Sequence, residues 1–180
     1  FYTSDNGPNP PFAKAIESAG GLRGVKRMLY EGGIRAAMGV RWPGHVPAGT
    51  ESDFVWDMRD VFPTLCDLAG TEIPNHLDGM SVVPTLMGKT QRPRQMHYWE
   101  IHSPFQQAVR FGDWKAIRFG TEEPLELYDL NKDRREKQNV AKSNPATVRK
   151  IEAFLDSART DSPYFPAKAK RVVRRKKKNK

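Results

Sequence analysis

A glycine-rich stretch, Gly20-Gly21-Leu22-Arg23-Gly24-Val25-Lys26, followed shortly by Glu31-Gly32-Gly33, most constrains how this chain can fold. Glycine lets a backbone turn tightly and approach other groups closely, so a lysine held there can be offered to a bound anion as a point charge. Taken alone, such a lysine is a solvated surface residue. Glu31-Gly32-Gly33 then turns the chain into an apolar run, Ala36 to Trp42, closed by Pro43-Gly44. That run reads as a buried strand ending in a turn. Arg35 is placed to pair with an acid, a structural role. Some twenty residues before Lys26, Phe1-Tyr2-Thr3 reads as the end of a strand and leads into Ser4-Asp5-Asn6-Gly7-Pro8. A carboxylate and an amide carbonyl on consecutive residues are hard oxygen ligands for Ca²⁺ or Mg²⁺, and the carboxyl end of a strand is where α/β sheets place ligands. Asp-Asn-Gly-Pro by itself is only turn chemistry. Together the two motifs suit a cation beside an anion.

The 180 residues can hold one sizeable core. Their opening on a strand end without Met reads as the continuation of an upstream segment, and no apolar stretch approaches the ~20 residues of a membrane helix. The formal charge of +9 is concentrated at one end. Residues 168–180 hold nine of the 30 Lys and Arg and no acid, so the other 21 equal the 21 Asp and Glu, and residues 1–167 are formally neutral. Such a tail reads as disordered, because it has too few apolar residues to offset the entropy of ordering. The single cysteine, Cys66, excludes an internal disulfide framework or a cysteine-rich zinc site and reads as an inert packed thiol. His45, His76, His97 and His102 show no zinc-like pairing.

Residues 7–21 read as a loop with one short helix around Phe12 to Ser18. Asp57 to Ala69 reads as a helix with Val61, Leu65 and Leu68 on one face, Asp60 as N-cap, Pro63 in the first turn and Gly70 as the stop. Residues 71–95 read as an ordered, proline-rich connection. From Gln107 the pattern becomes antiparallel β: Ala108 to Phe111, a Gly112-Asp113 turn, Trp114 to Phe119, and a further strand over Leu125 to Leu130. Asn144-Pro145 starts a helix whose Val148, Ile151, Phe154 and Leu155 face should cover this small sheet.

In the same order as in type I sulfatases, the formylglycine-dependent arylsulfatase family, the chain carries a series of short motifs. These are Ser4-Asp5-Asn6-Gly7-Pro8, Leu22-Arg23-Gly24-Val25-Lys26-Arg27, Leu29-Tyr30-Glu31-Gly32-Gly33-Ile34-Arg35, Arg41-Trp42-Pro43-Gly44, Pro63-Thr64 with Leu68-Ala69-Gly70, Asp78-Gly79 and Leu127-Tyr128-Asp129-Leu130. Residues 1 to about 166 resemble the C-terminal third or so of such an enzyme. The resemblance implies an α/β fold: part of a doubly wound alkaline-phosphatase-like sheet, then a small antiparallel β-sheet subdomain with a C-terminal helix. It divides the chain into residues 1–95, a subdomain over 96–166, and the basic tail 167–180. It implies that Asp5 and Asn6 ligate one Ca²⁺ and that Lys26 contacts the sulfate; His102 is a candidate to line the substrate pocket, the alternative being a hydrogen-bonded loop histidine. The substrate would be a sulfate ester, a sulfated carbohydrate among the options, and the location periplasmic or secreted.

The family's nucleophile is a formylglycine made within Cys/Ser-x-Pro-x-Arg, and no such motif occurs here: Cys66 is followed by Asp67-Leu68-Ala69-Gly70. The family's paired aspartates and catalytic histidine are absent as well, so the chain is expected to be inactive alone. Ala36-Ala37 stands where the family often has Val-Pro. A phosphoester or phosphonate hydrolase of the same superfamily is the enzymatic alternative, separated from a sulfatase by its nucleophile and metal number. A non-catalytic polyanion-binding module acting through the tail is another. Nucleic acid fits poorly, since no aromatic residue interleaves the tail to stack on bases. Heparin and DNA retention at two salt concentrations, with and without residues 168–180, tests the module, and unchanged retention removes it.

Overall fold

The structure, a computed structural model, describes residues 1–170. It falls into two compact units, one of residues 1–5 with 37–94 and the other of residues 6–36 with 95 onward. Its helices are α1 (Pro10–Ala15), α2 (Glu31–Ile34), α3 (Val61–Leu68), α4 (Val83–Leu86) and α5 (Pro145–Leu155). Its strands are β1 (Tyr2–Thr3), β2 (Met38–Gly39), β3 (His97–His102), β4 (Phe105–Phe111), β5 (Trp114–Arg118) and β6 (Glu126–Asp129). Of the basic tail 167–180, expected to be disordered, residues 168 and 169 are held to the sheet unit, their carbonyls accepting the Thr121 and Glu122 N–H at 2.9 Å, and residues 171–180 lie outside the described residues.

In the first unit β1 pairs antiparallel with β2, Tyr2 opposite Gly39 and Thr3 opposite Met38. The strand expected over Ala36 to Trp42 is thus two residues long, and both are exposed. Among the described residues β1 is its one hydrogen-bonded neighbour. α3 follows a 3₁₀ turn, Met58–Asp60, capped by Asp57 rather than Asp60. The Asp57 carboxylate accepts the Arg59 N–H at 3.0 Å and the Asp60 carboxylate accepts the Asp57 N–H at 2.9 Å, a reciprocal capping box. Asp60, only 1% exposed, makes no cap bond to α3. Its carboxylate instead meets the Arg94 guanidinium at 2.5 Å and accepts the Met80 N–H at 2.8 Å, which ties the 71–95 connection to the helix. Thr64 Oγ1 adds a second tie, donating to Asp60 O at 2.6 Å and accepting the Val82 N–H at 3.0 Å. Pro63 and Thr64 are the buried residues of α3, while Phe62 and Leu65 are exposed. Gly70, at φ +66°, stops the helix.

In the second unit β3–β4–β5–β6 form an antiparallel meander with Val109 opposite Ala116 and Ala116 opposite Leu127. Gly112 turns β4 into β5 at φ +57°, in the region glycine adopts freely. Alternation divides the side chains between two faces. On one, Val109, Ala116 and Leu127 pack with Leu125 against Ile151 and Leu155 of α5, with Val148 and Phe154 alongside, as the helix periodicity predicts. On the other, Ala108, Ile117 and Tyr128 pack against Leu29 and Tyr30, with Trp99, Ile101 and Ile34 beside them. The glycine-rich stretch is therefore a packing layer of this unit. β3 was not foreseen, because apolar residues on both of its faces hide the period of two. No helix among the described residues is long and apolar enough to cross a membrane.

Candidate functional site

Three glycines let the Lys26 loop fold onto itself and onto the turn after Asn6. Gly7, Gly32 and Gly33 are all buried. A methyl at Gly7 would strike the Gly32 carbonyl, and one at Gly33 would strike the Met28 carbonyl and lie 2.7 Å from that of Val25. The close approach yields backbone bonds: Gly7 N–H to Gly33 O at 2.8 Å, Lys26 N–H to Pro8 O at 2.9 Å and Gly32 N–H to Arg23 O at 2.7 Å. Gly33→Ala should destabilise the unit by about 1–3 kcal/mol through overpacking, and urea unfolding checks this.

Arg23 ties the loop to the sheet. Its guanidinium lies 3.8 Å over the Tyr30 ring and donates to Tyr30 Oη at 2.9 Å, Tyr128 Oη at 3.0 Å and Glu136 O at 2.5 Å. Both tyrosine hydroxyls donate to Glu126 Oε2, at 2.6 and 2.8 Å. Burial, and then the bond to Glu126, push both phenols up, Tyr128 to about 12. They stay neutral donors over the physiological range.

Beneath the loop lies a buried ionic group. Lys115 of β5, fully buried, meets Glu31 Oε1 at 2.8 Å and Glu136 Oε1 at 3.8 Å. The Glu31 N–H donates to Glu136 Oε2 at 2.8 Å, whereas Glu136 Oε1 has no hydrogen-bond partner. Burial pushes the Glu31 carboxyl up, but the charge and hydrogen bond of Lys115, with Arg110 and Arg35 beyond, more than reverse this and hold it below its ordinary value. For Glu136 burial prevails over the pull of Lys115, and its carboxyl rises to about 7.

The folded state therefore keeps the Glu136 proton where the unfolded chain, near 4.5, has lost it. Proton linkage then makes this group's contribution to stability fall as pH rises from about 4.5 to about 7, by an amount on the order of 3 kcal/mol. Urea unfolding at pH 5 and pH 8 should show the drop, and Glu136→Gln should abolish it. Glu31, shifted the other way, acts below this window.

The unit boundary passes between Asp5 and Asn6. Asp5 is exposed and Asn6 half-buried, and Asn6 opens the turn bonded to Gly33 and Lys26. Lys26 is exposed. His102 ends β3 on the α5 side of the sheet by strand alternation, edge-on to Phe165 at 5.5 Å, with Nδ1 buried and without a hydrogen-bond partner. The Lys26 loop packs on the opposite face. Among the described residues no group of three or more His, Cys, Asp and Glu could hold a metal. Asp5 and Asn6 have the right oxygen chemistry for Ca²⁺ but amount to two of the roughly 6–8 ligands it takes. An open cleft of about 390 Å³ lies against Gly21, Arg23, Arg135, Glu136 and Lys137. Sequence reasoning missed the Glu31–Lys115–Glu136 group. Its one signal was a lysine on the strand face that also carries Ile117.

A sheet with α5 on one face and a basic, glycine-rich loop on the other matches sulfatases of the alkaline-phosphatase-like superfamily. A solved Bacteroides thetaiotaomicron protein, described under the metabolism of multiple glycosaminoglycans, superposes with a TM-score of 0.73 at 29% identity, over 87% of this chain and 37% of that one. Residues 24–161 match the family N-sulphoglucosamine sulphohydrolase, C-terminal, and the chain belongs to this sulfatase family. Human arylsulfatase A is 32% identical over 201 residues, covering 91% of this chain and 39% of that enzyme. The N-acetylgalactosamine-6-O-sulfatase of Bacteroides thetaiotaomicron is 29% identical, covering 89% and 36%. The chain thus spans about two fifths of the length of these relatives.

Proposed function

We propose that this chain forms the C-terminal part of an exported hydrolase of sulfate esters and supplies a sulfate-contacting lysine and part of a calcium site. The observation that carries the reading is the pair of backbone bonds, Lys26 N–H to Pro8 O and Gly7 N–H to Gly33 O, joining the lysine loop to the turn that Asn6 opens. Asp5 and Asn6 would hold the cation, which when bound supplies positive charge to the sulfuryl oxygens. Lys26, exposed on a loop braced from below, offers its ammonium to the same oxygens as negative charge grows on them. His102, on the opposite face of the sheet from the Lys26 loop, takes no part in this reading. The nucleophile, a formylglycine, comes from sequence outside this chain, so the chain alone does not turn over.

A sulfated carbohydrate is the substrate class best supported. Arg135 and Lys137 line one cleft with Gly21, Arg23 and Glu136, and one relative is an N-acetylgalactosamine-6-O-sulfatase by name. The test compares this chain with the complete enzyme on an aryl sulfate and on a 6-O-sulfated amino sugar, with Ca²⁺ and after chelation. Sulfate release by the complete enzyme, weakened by chelation and absent for the chain alone, is expected. Phosphonate or phosphodiester turnover without sulfate release would overturn the reading.

A further inference from the structure

We propose that Lys115 is a positioning residue for Lys26, anchoring through Glu31 the loop that presents it. The inference rests on the sulfate-contacting reading of Lys26 for its functional meaning, though the anchoring can be measured without it. An ammonium with no exposure, in the middle of a small sheet, is costly to bury unless paired. Apolar replacements of buried ion pairs are often neutral or stabilising, so the pair is better explained by the geometry it selects than by net stability.

That geometry runs in a short chain of contacts. Lys115 Nζ holds Glu31 Oε1 at 2.8 Å. Glu31 starts α2, two residues before Gly33, whose carbonyl takes the Gly7 N–H at 2.8 Å. Pro8, next in the chain, takes the Lys26 N–H at 2.9 Å. One strand lysine thus fixes both the turn after Asn6 and the loop of Lys26. Glu136 closes the arrangement from a third segment, accepting the Glu31 N–H at 2.8 Å while its backbone carbonyl takes Arg23.

The charged groups facing this centre are Lys115 from β5, Arg110 of β4 at 3.9 Å from Glu31, Arg35 at 3.8 Å from Glu31, and Arg23 over the loop. The Trp99 ring, 5.7 Å from Nζ, walls the ammonium toward the carboxylates. A long apolar side chain at 115 would fill the space without choosing where Glu31 lies.

Amide hydrogen exchange on the 180-residue chain tests this, reading Gly7, Lys26 and Gly32 against Val109 and Ala116 in the sheet. Glu31→Gln keeps the shape and removes the ion pair. It should speed exchange of the three loop amides by at least about tenfold relative to the sheet amides. Glu31→Gln with Lys115→Met removes both charges. Sheet protection should then return to within about threefold of the parent, because a buried pair can be replaced without loss, while the loop amides stay fast. Loop amides unchanged in Glu31→Gln, or loop and sheet recovering together in the double variant, would overturn the proposal. Glu31→Gln carries the comparison alone if the double variant fails to fold. Since exchange is read without turnover, a failed sulfate-hydrolysis assay sinks the reading of Lys26 and leaves the anchoring standing.

Discussion

Lys26→Ala in the complete enzyme should lower kcat for an aryl sulfate by about 10²–10³, the loss that follows removal of a single preorganised oxyanion donor, about 3–4 kcal/mol. The effect should fall mainly on kcat, with a smaller change in KM, because charge on the sulfuryl oxygens grows as the ester bond breaks. Lys26→Arg should recover only part of the rate, since a planar fork does not reproduce a compact ammonium. The loop itself should survive the change, because its fold depends on the amide of Lys26 and on buried glycines rather than on the exposed side chain. Steady-state kinetics with a chromogenic aryl sulfate reads all of this. A variant within about twofold of the parent would remove Lys26 from the chemistry.

Asp60→Ala should be the most damaging of the structural changes, costing about 3–5 kcal/mol as judged by urea unfolding. The carboxylate is 1% exposed and serves three groups at once: the Arg94 guanidinium, the Asp57 N–H and the Met80 N–H. Alanine leaves all three facing a cavity. Arg94 keeps a longer contact to Asp57 at 3.4 Å and a bond to the Asp78 carbonyl at 3.1 Å, which limits but does not cancel the loss. Asp60→Asn, which retains an acceptor of the same shape, should cost distinctly less. A loss below about 1 kcal/mol for the alanine variant would mean that the remaining Asp57–Arg59 cap bond and Thr64 hold the segment without this carboxylate.

Features written locally were readable in the sequence. Gly112-Asp113 between two β-patterned runs marked the β4–β5 turn, Asn144-Pro145 marked the start of α5, and spacing named the face of α5 that covers the sheet. Where two local signals competed, the reading slipped. Asp60 sits at the N-cap position of α3 as its place in the sequence predicts, but its carboxylate is turned to Arg94 and Met80, and the side-chain cap is made one turn earlier by Asp57. The run beginning at Ala36 is apolar and so reads as a buried strand, whereas among the described residues only Met38 and Gly39 pair, with β1, and both are exposed. The glycine loop drew notice for its lysine, while its tertiary role stayed hidden. Glu31 and Lys115 are 84 positions apart, and Arg23 and Tyr128 are 105 apart. No local pattern joins such pairs. Glu136 gave no signal at all, since a glutamate in a polar turn is ordinarily solvated and here becomes buried only because the Arg23 loop folds over it.

The most direct measurement is a crystal structure of the complete enzyme with Ca²⁺ and inorganic sulfate. The expected result is a cation held by carboxylate and amide oxygens of Asp5 and Asn6 at about 2.3–2.6 Å, with the Lys26 ammonium within about 3 Å of an oxygen of a neighbouring sulfate. A cation bound elsewhere, or a Lys26 side chain turned away from the sulfate beyond hydrogen-bonding reach, would contradict it.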